Sequence, residues 1–356
     1  MAYLEIYKDK LEHNFLFLDK LFSQNNISWG VVSKILCGNK TYLRLLKDLG
    51  IREFHDSRLS NLRAIKRLDN EITTVYIKPP AKRIIPSLVK YADISFNTQL
   101  ETIKLISFEA GRQNKTHKII IMIEMGDLRE GVMGENLVDF YSNVFELPNI
   151  EIIGLGTNLN CLNGIMPTVD KMIQLSLYKQ LIEANFKKKI PWISGGSSVT
   201  IPMLLKRMIP KPINHFRIGE TLFFGNNLIT GKPLKGMKQG VFKLFAEIIE
   251  LSEKPLVPIG EIGTNVAGES PEINENEYGK TSCRAILDIG LLDINTNHLF
   301  PSKPGLKFSG ASSDMLVLDL GNNRHNYKVG DLISFDLSYM GALSVLNSDY
   351  IGKTVK

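Results

Sequence analysis

Short apolar runs alternate with amphipathic stretches through the first two-thirds of the chain. Between the runs, apolar residues recur at helical spacing, as at Leu43, Leu46 and Leu49. The runs are nearly continuous rather than alternating, which is typical of parallel strands covered on both faces. Eight strand–helix units in succession predict a (β/α)8 barrel of the TIM type. The predicted strands are Ile27–Ser33, Ile51–His55, Thr73–Lys78, Asp93–Asn97, Lys118–Met125, Glu151–Thr157, Ile190–Ser194 and Ile213–Arg217.

Two further helical patterns flank this series. Leu11, Phe15, Leu18 and Phe22 predict an extra helix before the first strand. After the sixth strand, Ile173, Leu177 and Leu181 are four residues apart and so lie on one helix face.

The pattern changes at about Gly236. Four runs there read as strands separated by Gly, Pro and Asn turns, without good helices, and Val266–Lys280 reads as a long loop. We therefore predict a barrel domain over residues 1–235, whose first few residues could pair with a mostly β domain over residues 236–356. The predicted strands of that domain are Phe242–Leu251, Arg284–Ile289, Met315–Leu320 and Leu332–Leu337.

Composition and charge exclude several classes of protein. The 356 residues, 44% of them apolar, suffice for two packed domains. The net charge of +6 comes from scattered lysines without interleaved aromatics, so we expect no nucleic-acid partner. No apolar run approaches the ~18 residues of a membrane span. Three distant cysteines without a CxxC pair argue against disulfides and structural zinc. We expect a soluble, cytoplasmic protein without a bound metal.

Candidate chemistry lies at the carboxyl ends of the predicted strands, where barrels of this kind carry their active sites. Lys34 ends the first strand and would project into the mouth, where partial desolvation favours a neutral amine able to form a Schiff base. A lysine held in a salt bridge at a strand end is an equally good interpretation of its position alone. Other polar groups at the same end are His55, Asp56, Asn97, Arg129, Asn158, Ser194–Ser198, Arg217 and Gly219.

The turn Gly195–Ser198 offers backbone amides and hydroxyls before a predicted helix. Such a turn binds anions, although a glycine-rich turn can also merely connect two elements. Its place after the seventh strand, with Gly219 after the eighth, is where barrels hold phosphate groups.

At these residues the sequence resembles the alanine-racemase-like, fold-type-III enzymes that use pyridoxal 5′-phosphate (PLP), in particular the group containing ornithine racemase. The resemblance covers nearly the whole chain. Its most specific segments are Val32–Gly38, Gly154–Cys161, Ser194–Ser198, Phe216–Gly219 and Gly310–Asp314.

The resemblance implies a role for each candidate residue. Lys34 would carry the cofactor and act as one acid/base, and Asn158 would lie against the cofactor ring. Arg129 would orient the substrate and the phenolic oxygen of the cofactor. The phosphate would be met by Ser197, Ser198, Gly219 and Tyr339. Members of the family are usually head-to-tail homodimers in which the partner's β domain completes each site.

Arg217 indicates the reaction type. In the racemases an arginine faces the pyridine nitrogen of the cofactor, whereas the related decarboxylases place a carboxylate there. A cation disfavours protonation of that nitrogen and weakens the electron sink, which suits removal and return of a proton. The alternative is a structural salt bridge, for example with Glu220.

Two positions depart from the alanine racemase pattern. In the stretch Asp288–Asp293, leucine stands where that enzyme has its second acid/base tyrosine, and a racemase needs such groups on both faces of the substrate. Asp314 is our candidate for the second group, with Ser313 and Asp293 as alternatives. Met122 replaces a lysine that supports the substrate arginine.

We therefore predict a racemase that removes the α-proton of a free amino acid held on PLP, with ornithine or another basic amino acid as substrate. Glu261, Glu269 and Asp314 are candidates to receive the distal ammonium group. The alternatives are a decarboxylase or aldolase of the same fold, and a PLP-homeostasis protein without catalysis. Arg217 argues against the decarboxylase, and the β domain argues against the homeostasis protein.

Overall fold

The computed structural model describes residues 2–264, 268, 270 and 273–356. Part of the predicted loop Val266–Lys280 therefore lies outside the described residues. The chain divides into two compact units. One comprises Asp9–Gln239, and the other combines Met1–Lys8 with Gly240–Lys356. Within the described residues, no helix is both long enough and apolar enough to cross a membrane.

The first unit is built on a closed barrel of eight parallel strands, which confirms the predicted fold class. The last strand pairs with the first, Ser28–Val31 against His215–Ile218, and closes the ring. The strands are β2 (Ser28–Val32), β3 (Glu53–Asp56), β4 (Thr73–Tyr76), β5 (Ile94–Asn97), β6 (His117–Met122), β7 (Ile150–Gly156), β8 (Trp192–Ser197) and β9 (His215–Ile218).

Helices follow the strands around this barrel. The helix before the first strand is present and buries Leu11, Leu18 and Phe22, as its spacing predicts. The helices are α1 (Lys8–Gln24), α2 (Lys40–Asp48), α3 (Leu59–Leu68), α4 (Ile85–Tyr91), α5 (Leu100–Arg112), α6 (Leu137–Phe145), α7 (Val169–Phe186), α8 (Ile201–Leu205) and α9 (Glu220–Phe224).

The apolar spacing on α7 identifies the helix but not its buried face. Ile173, Leu177 and Leu181 share a face, and all three are exposed. The helix packs through Met172, Leu175 and Ile182 instead. Helical spacing reports which residues share a face, whereas the direction of that face depends on how the helix sits on the barrel.

Local chemistry explains where the elements begin and how closely they pack. The Asn39 side chain accepts a hydrogen bond from the Tyr42 amide at the start of α2, and Thr168 caps α7 through the Lys171 amide. Within the barrel, a Cβ on Gly196 would lie 2.1 Å from the ring of Phe216. Only glycine fits between β8 and β9 at that point.

The second unit is an eight-stranded sheet in which β1 (Tyr3–Ile6) pairs with both β10 (Phe242–Pro255) and β16 (Gly352–Val355). The predicted strands are present, but the expectation of no good helix is wrong, because α10 (Tyr339–Asn347) follows the last predicted strand. Ser338 caps it by accepting from the Gly341 amide. The remaining strands are β11 (Thr281–Leu287), β12 (Leu299–Pro301), β13 (Lys307–Ala311), β14 (Leu316–Asp319) and β15 (Leu332–Leu337).

A buried histidine makes the stability of the barrel depend on pH. His117 is 3% exposed and shares a 2.9 Å hydrogen bond with Ser95 Oγ. Burial lowers its pKa to about 4. Because an unfolded histidine has a pKa of about 6.5, the unfolded chain binds more protons between these two values. The free energy of unfolding is therefore expected to fall as the pH is lowered from about 6.5 to about 4.

His117→Gln should weaken that dependence, since glutamine keeps a nitrogen near Nε2 but does not titrate. The wild type should lose up to about 1.4 kcal/mol per pH unit more than the variant across the window. Denaturant unfolding at pH values from about 4.5 to 8 measures it. His13→Gln, at an exposed position of the same unit, is the matched control. Equal slopes in all three proteins would contradict the assignment.

Candidate active site

Lys34 lies just beyond the end of β2, in a single 3-10 turn over Ser33–Leu36. The turn is anchored from below, because Ser33 Oγ donates to Asp56 Oδ2 at 3.0 Å. Asp56 is fully buried, which raises the pKa of its carboxyl, and it also accepts from Asn61 Nδ2 at 3.1 Å and the Arg58 amide at 2.9 Å. The lysine is thus presented from a rigid base at the mouth of the barrel.

The environment of Lys34 differs from the one that we predict from the sequence. Its side chain is exposed in the single chain, so the barrel unit does not supply the expected desolvation. Its charge acts on Glu220: burial raises the pKa of that carboxyl, and the nearby Lys34 counteracts the rise. Glu220 is therefore a neighbour of Lys34. The hydrogen bonds of the Arg217 guanidinium go to Ser194, Thr157 and Asn158, and no described contact joins it to Glu220.

Arg217 lies inside the barrel, 5% exposed, with four of its five N–H donors in use. Nη1 donates to Ser194 O at 2.8 Å and to Ser194 Oγ at 2.6 Å. Nη2 donates to Thr157 O and Asn158 Oδ1, both at 2.7 Å. The fifth donor, Nε–H, has no partner among the described residues. Burial lowers the pKa of Arg217 to about 10, so the guanidinium remains charged at neutral pH.

Asn158 connects Arg217 to a surface ion pair. Its Nδ2 donates to Glu130 Oε1 at 2.5 Å, and Arg129 Nη2 donates to the same oxygen at 2.6 Å. The hydrogen bond to Glu130 raises the pKa of Arg129. Met122, by contrast, is buried in the apolar core beside Ile120. Glu130 therefore provides the support for Arg129 that the resemblance assigns to a lysine at position 122.

The two serines after β8 are oriented as hydrogen-bond donors. Ser197 Oγ accepts from the Thr200 amide in a capping box. Ser198 Oγ accepts from the amides of Gly219 at 3.3 Å and Thr221 at 3.2 Å. Both oxygens are occupied as acceptors, so each hydroxyl proton is available for an external acceptor. The loops after the last two strands thus meet at these hydroxyls, which form a site suited to a phosphate group.

A carboxylate that the sequence does not single out fixes the loop after β7. Asp127 is 1% exposed, and its Oδ2 accepts from the amides of Cys161 and Leu162 at 3.0 Å. Its Oδ1 accepts from the amides of Asn163 and Ile165 at 3.2 Å. Although burial opposes ionisation, these bonds hold the pKa of Asp127 below its usual range. The loop that begins at Asn158 is consequently clamped in one conformation.

Seven of the predicted site residues thus belong to the barrel unit. They are Lys34, Arg129, Asn158, Ser197, Ser198, Arg217 and Gly219. Hydrogen bonds join Asn158 directly to Arg217, and Ser198 directly to Gly219. Arg129 is connected to Asn158 through Glu130, whose Oε1 accepts from both side chains.

Tyr339 and Asp314 belong to the second unit. Tyr339 is the first residue of α10 and is half-buried. Asp314 is exposed in the turn between β13 and β14, and it accepts from the hydroxyls of Ser312 at 3.3 Å and Ser313 at 3.2 Å. Asp293 accepts from Ser348 Oγ at 2.7 Å. The expected ammonium acceptor Glu269 lies outside the described residues.

The donor set of the barrel mouth fits PLP. The unpartnered Nε–H of Arg217 can meet the pyridine nitrogen, the two serine hydroxyls can meet the phosphate, and Lys34 supplies a primary amine. Within the part of the chain that the structure describes, Asn97 Oδ1 and Thr157 Oγ1 are also buried at the strand ends without a partner. A bound polar group would satisfy such atoms.

The comparisons with known proteins agree with this site. The family model "Alanine racemase, N-terminal domain" matches residues 6–227. The chain belongs to this family. It is 36% identical to the ornithine racemase of Acetoanaerobium sticklandii over 97% of both chains. It is 30% identical to the lysine racemase of Thermotoga maritima, over 97% of this chain and 95% of the relative.

A solved alanine racemase from Streptomyces coelicolor shares the fold, with a TM-score of 0.77 at 13% identity over 99% of this chain and 97% of that one. The predicted relationship to alanine-racemase-like enzymes and the predicted enzyme class, an amino-acid racemase, are confirmed.

Proposed function

We propose that this racemase acts on a free basic amino acid, ornithine foremost, with PLP held by Lys34. The observation that carries the cofactor assignment is Arg217. Its guanidinium is fixed by four hydrogen bonds, and among the described residues it keeps a single donor without a partner. A fixed cation with one free N–H matches an unprotonated pyridine nitrogen, which is an acceptor.

PLP when bound supplies an aldehyde that condenses with amines and a ring that stabilises negative charge at the substrate α-carbon. Side chains of the barrel supply the contacts that hold the cofactor and the group that moves the proton. Ser197 and Ser198 would donate hydroxyl hydrogen bonds to the phosphate, beside Gly219, whose amide bonds Ser198 Oγ. Arg217 would donate to the pyridine nitrogen and disfavour its protonation. Negative charge at the α-carbon would then be short-lived, which favours return of the proton over side reactions.

Lys34 is the acid/base that we assign to one face of the substrate. With cofactor and substrate bound, its amine would take the α-proton on that face and return it. Asp56 fixes the turn that carries Lys34, through Ser33, and so limits the positions its amine can reach. Asn158 lies against the ring and couples Arg217 to Glu130.

The substrate side is arranged around Arg129. Its guanidinium is held against Glu130 and retains capacity to orient the α-carboxylate of the substrate. Glu130 in turn bonds Asn158, so the arginine for the substrate and the arginine for the cofactor share one hydrogen-bonded series.

The second acid/base and the remaining phosphate contact are assigned to the β domain. Asp314 is the proposed acid/base of the opposite face, and Tyr339 the proposed phosphate contact. We further propose a head-to-tail homodimer in which the partner's β domain completes each site. None of the described cysteines forms a disulfide, which accords with action in the cytoplasm.

Exchange of the α-proton in D2O tests the substrate proposal. L-Ornithine, L-lysine, L-alanine and L-leucine are incubated with the PLP-loaded protein, and the α-proton signal and the D-enantiomer are followed. We expect exchange and racemisation of ornithine and lysine at rates at least about 10-fold above alanine, since an ion pair to the distal ammonium is lost with alanine.

Each other outcome contradicts a defined part of the proposal. Absence of exchange with every substrate would contradict racemisation, whereas exchange fastest with alanine would contradict the basic substrate only. Carbon dioxide release without the D-enantiomer would indicate a decarboxylase. Protein freed of PLP by dialysis against hydroxylamine is the control for cofactor dependence.

A further inference from the structure

A series of buried hydrogen bonds runs from Arg217 through the barrel to the opposite end. Arg217 Nη1 lies 2.6 Å from Ser194 Oγ, which lies 2.7 Å from His215 Nδ1. His215 Nε2 lies 2.8 Å from Glu53 Oε1. Ser194 and His215 are fully buried. Glu53 and His215 are the first residues of their strands, so the series spans the barrel from its amino end to the active-site end.

The direction of donation along the series follows from its two ends. Arg217 can only donate, so Ser194 Oγ accepts from it. An ionised Glu53 can only accept, so His215 carries a proton on Nε2, facing Glu53. In the neutral ring Nδ1 is then an acceptor, and the Ser194 hydroxyl donates to it. Glu53 thereby fixes the tautomer of His215. The Ser194 hydroxyl, which bonds both side chains, connects His215 to Arg217.

The far end of the series is an ionised carboxylate. Burial opposes ionisation of Glu53, but hydrogen bonds from His215 and His55 outweigh it and hold its pKa well below the usual range. His55 Nε2 lies 2.6 Å from the same oxygen, Oε1. The His55 ring packs closely against β2, because a Cβ on Gly30 would lie 2.4 Å from it. Glu53 is therefore a fixed acceptor for both histidines at the far end of the series.

We propose that Ser194, His215 and Glu53 are positioning residues that hold the Arg217 guanidinium, and with it the free Nε–H, in the orientation required by the cofactor ring. This inference rests on the proposed function. Without the series, Nη1 would keep only the carbonyl of Ser194, while Nη2 would keep Thr157 and Asn158. The guanidinium would then be held by three hydrogen bonds instead of four. A change in its orientation would turn Nε–H away from the ring nitrogen and so weaken both cofactor binding and catalysis.

Ser194→Ala tests the link nearest to Arg217. Ser176→Ala is its matched control, because Ser176 is buried in the same unit but donates to the carbonyl of Met172 on its own helix, away from Arg217. The measurements are the dissociation constant for PLP, from visible absorbance on titrating the PLP-free protein, and kcat and KM for ornithine. We expect Ser194→Ala to raise the dissociation constant and lower kcat by about 10- to 100-fold, with Ser176→Ala unchanged.

Two substitutions at His215 separate positioning from packing. In His215→Asn, the side-chain oxygen of the introduced asparagine would stand near the position of the Nδ1 acceptor. This variant should therefore retain PLP affinity to within about three-fold, whereas His215→Leu should lose it like Ser194→Ala. In the wild type, long-range 15N–1H spectra should show His215 protonated on Nε2 and not on Nδ1. Glu53→Gln should disturb this tautomer, because an amide can donate to Nε2.

The results of these experiments separate a failure of the proposed function from a failure of the positioning role. Wild-type protein that binds no PLP would contradict the proposed function itself. Wild-type protein that binds PLP, with Ser194→Ala equal to Ser176→Ala in affinity and kcat, would overturn the positioning role. The ligand atoms of Glu53, His55 and His215 lie within 4.8 Å of one another. A divalent metal bound stoichiometrically in purified protein, and lost from His215→Asn, would also overturn it in favour of a metal site.

Discussion

Lys34→Ala is expected to abolish racemisation, with a loss of kcat/KM of at least about 1,000-fold. The substitution removes both the amine that holds the cofactor and the acid/base of one substrate face. The visible absorbance of the lysine-bound cofactor should disappear in the same protein. Folding should be unaffected, because the Lys34 side chain is exposed and its turn is anchored by Ser33 and Asp56 instead.

The matched control is Lys40→Ala, an exposed lysine six positions further along, at the start of α2. It should keep wild-type absorbance and wild-type kcat. Equal activity of the Lys34 and Lys40 variants would refute the assignment of Lys34. A Lys34→Ala protein that retains the absorbance of a lysine-bound cofactor would refute it as well, and would direct attention to another amine.

Arg217→Gln should have the second-largest effect, on stability as well as on catalysis. Glutamine cannot reach the four acceptors that Arg217 satisfies, so buried oxygens of Ser194 and Thr157 would lose their donor. Breaking a buried charged network typically costs about 3–5 kcal/mol of unfolding free energy. Loss of the donor to the cofactor ring should lower kcat by about 100-fold or more.

Arg217→Lys distinguishes charge from geometry in this prediction. Lysine keeps the positive charge but offers a single ammonium in place of a planar fork, so both effects should be intermediate. Arg112→Gln is the control, since Arg112 is largely exposed and bonds only Glu109 on its own helix. If Arg217→Gln unfolds no more readily than Arg112→Gln, the network does not stabilise the barrel in the way that its distances imply.

The site residues that the sequence indicates share one property: they follow apolar strands directly. Lys34, Asn158 and Ser198 are polar residues at the point where a predicted strand ends. In a parallel barrel all such ends meet at one mouth, so position along the chain is enough to gather them. The family resemblance then supplies their roles, which the pattern of residues leaves open.

The residues that sequence analysis missed are of two kinds. His215 lies at the start of a strand, where a polar residue reads as an interruption of the core. Asp127 and Glu130 lie in a loop, where acidic residues ordinarily face solvent. A signal was available for the first kind, because a histidine in a four-residue buried strand such as His-Phe-Arg-Ile requires a buried partner. Nothing in the sequence identifies that partner across the barrel.

Hydrophobic periodicity by itself determines the barrel, its mouth and the two-part organisation of the chain, because strand and helix patterns depend only on neighbours a few positions apart. The direction of each helix face, the exposure of Lys34 and the route from Arg217 to Glu53 are decided by the tertiary structure. They depend on contacts between residues up to 162 positions apart, such as His215 and Glu53. Spacing along the chain carries no information on such contacts until the barrel closes.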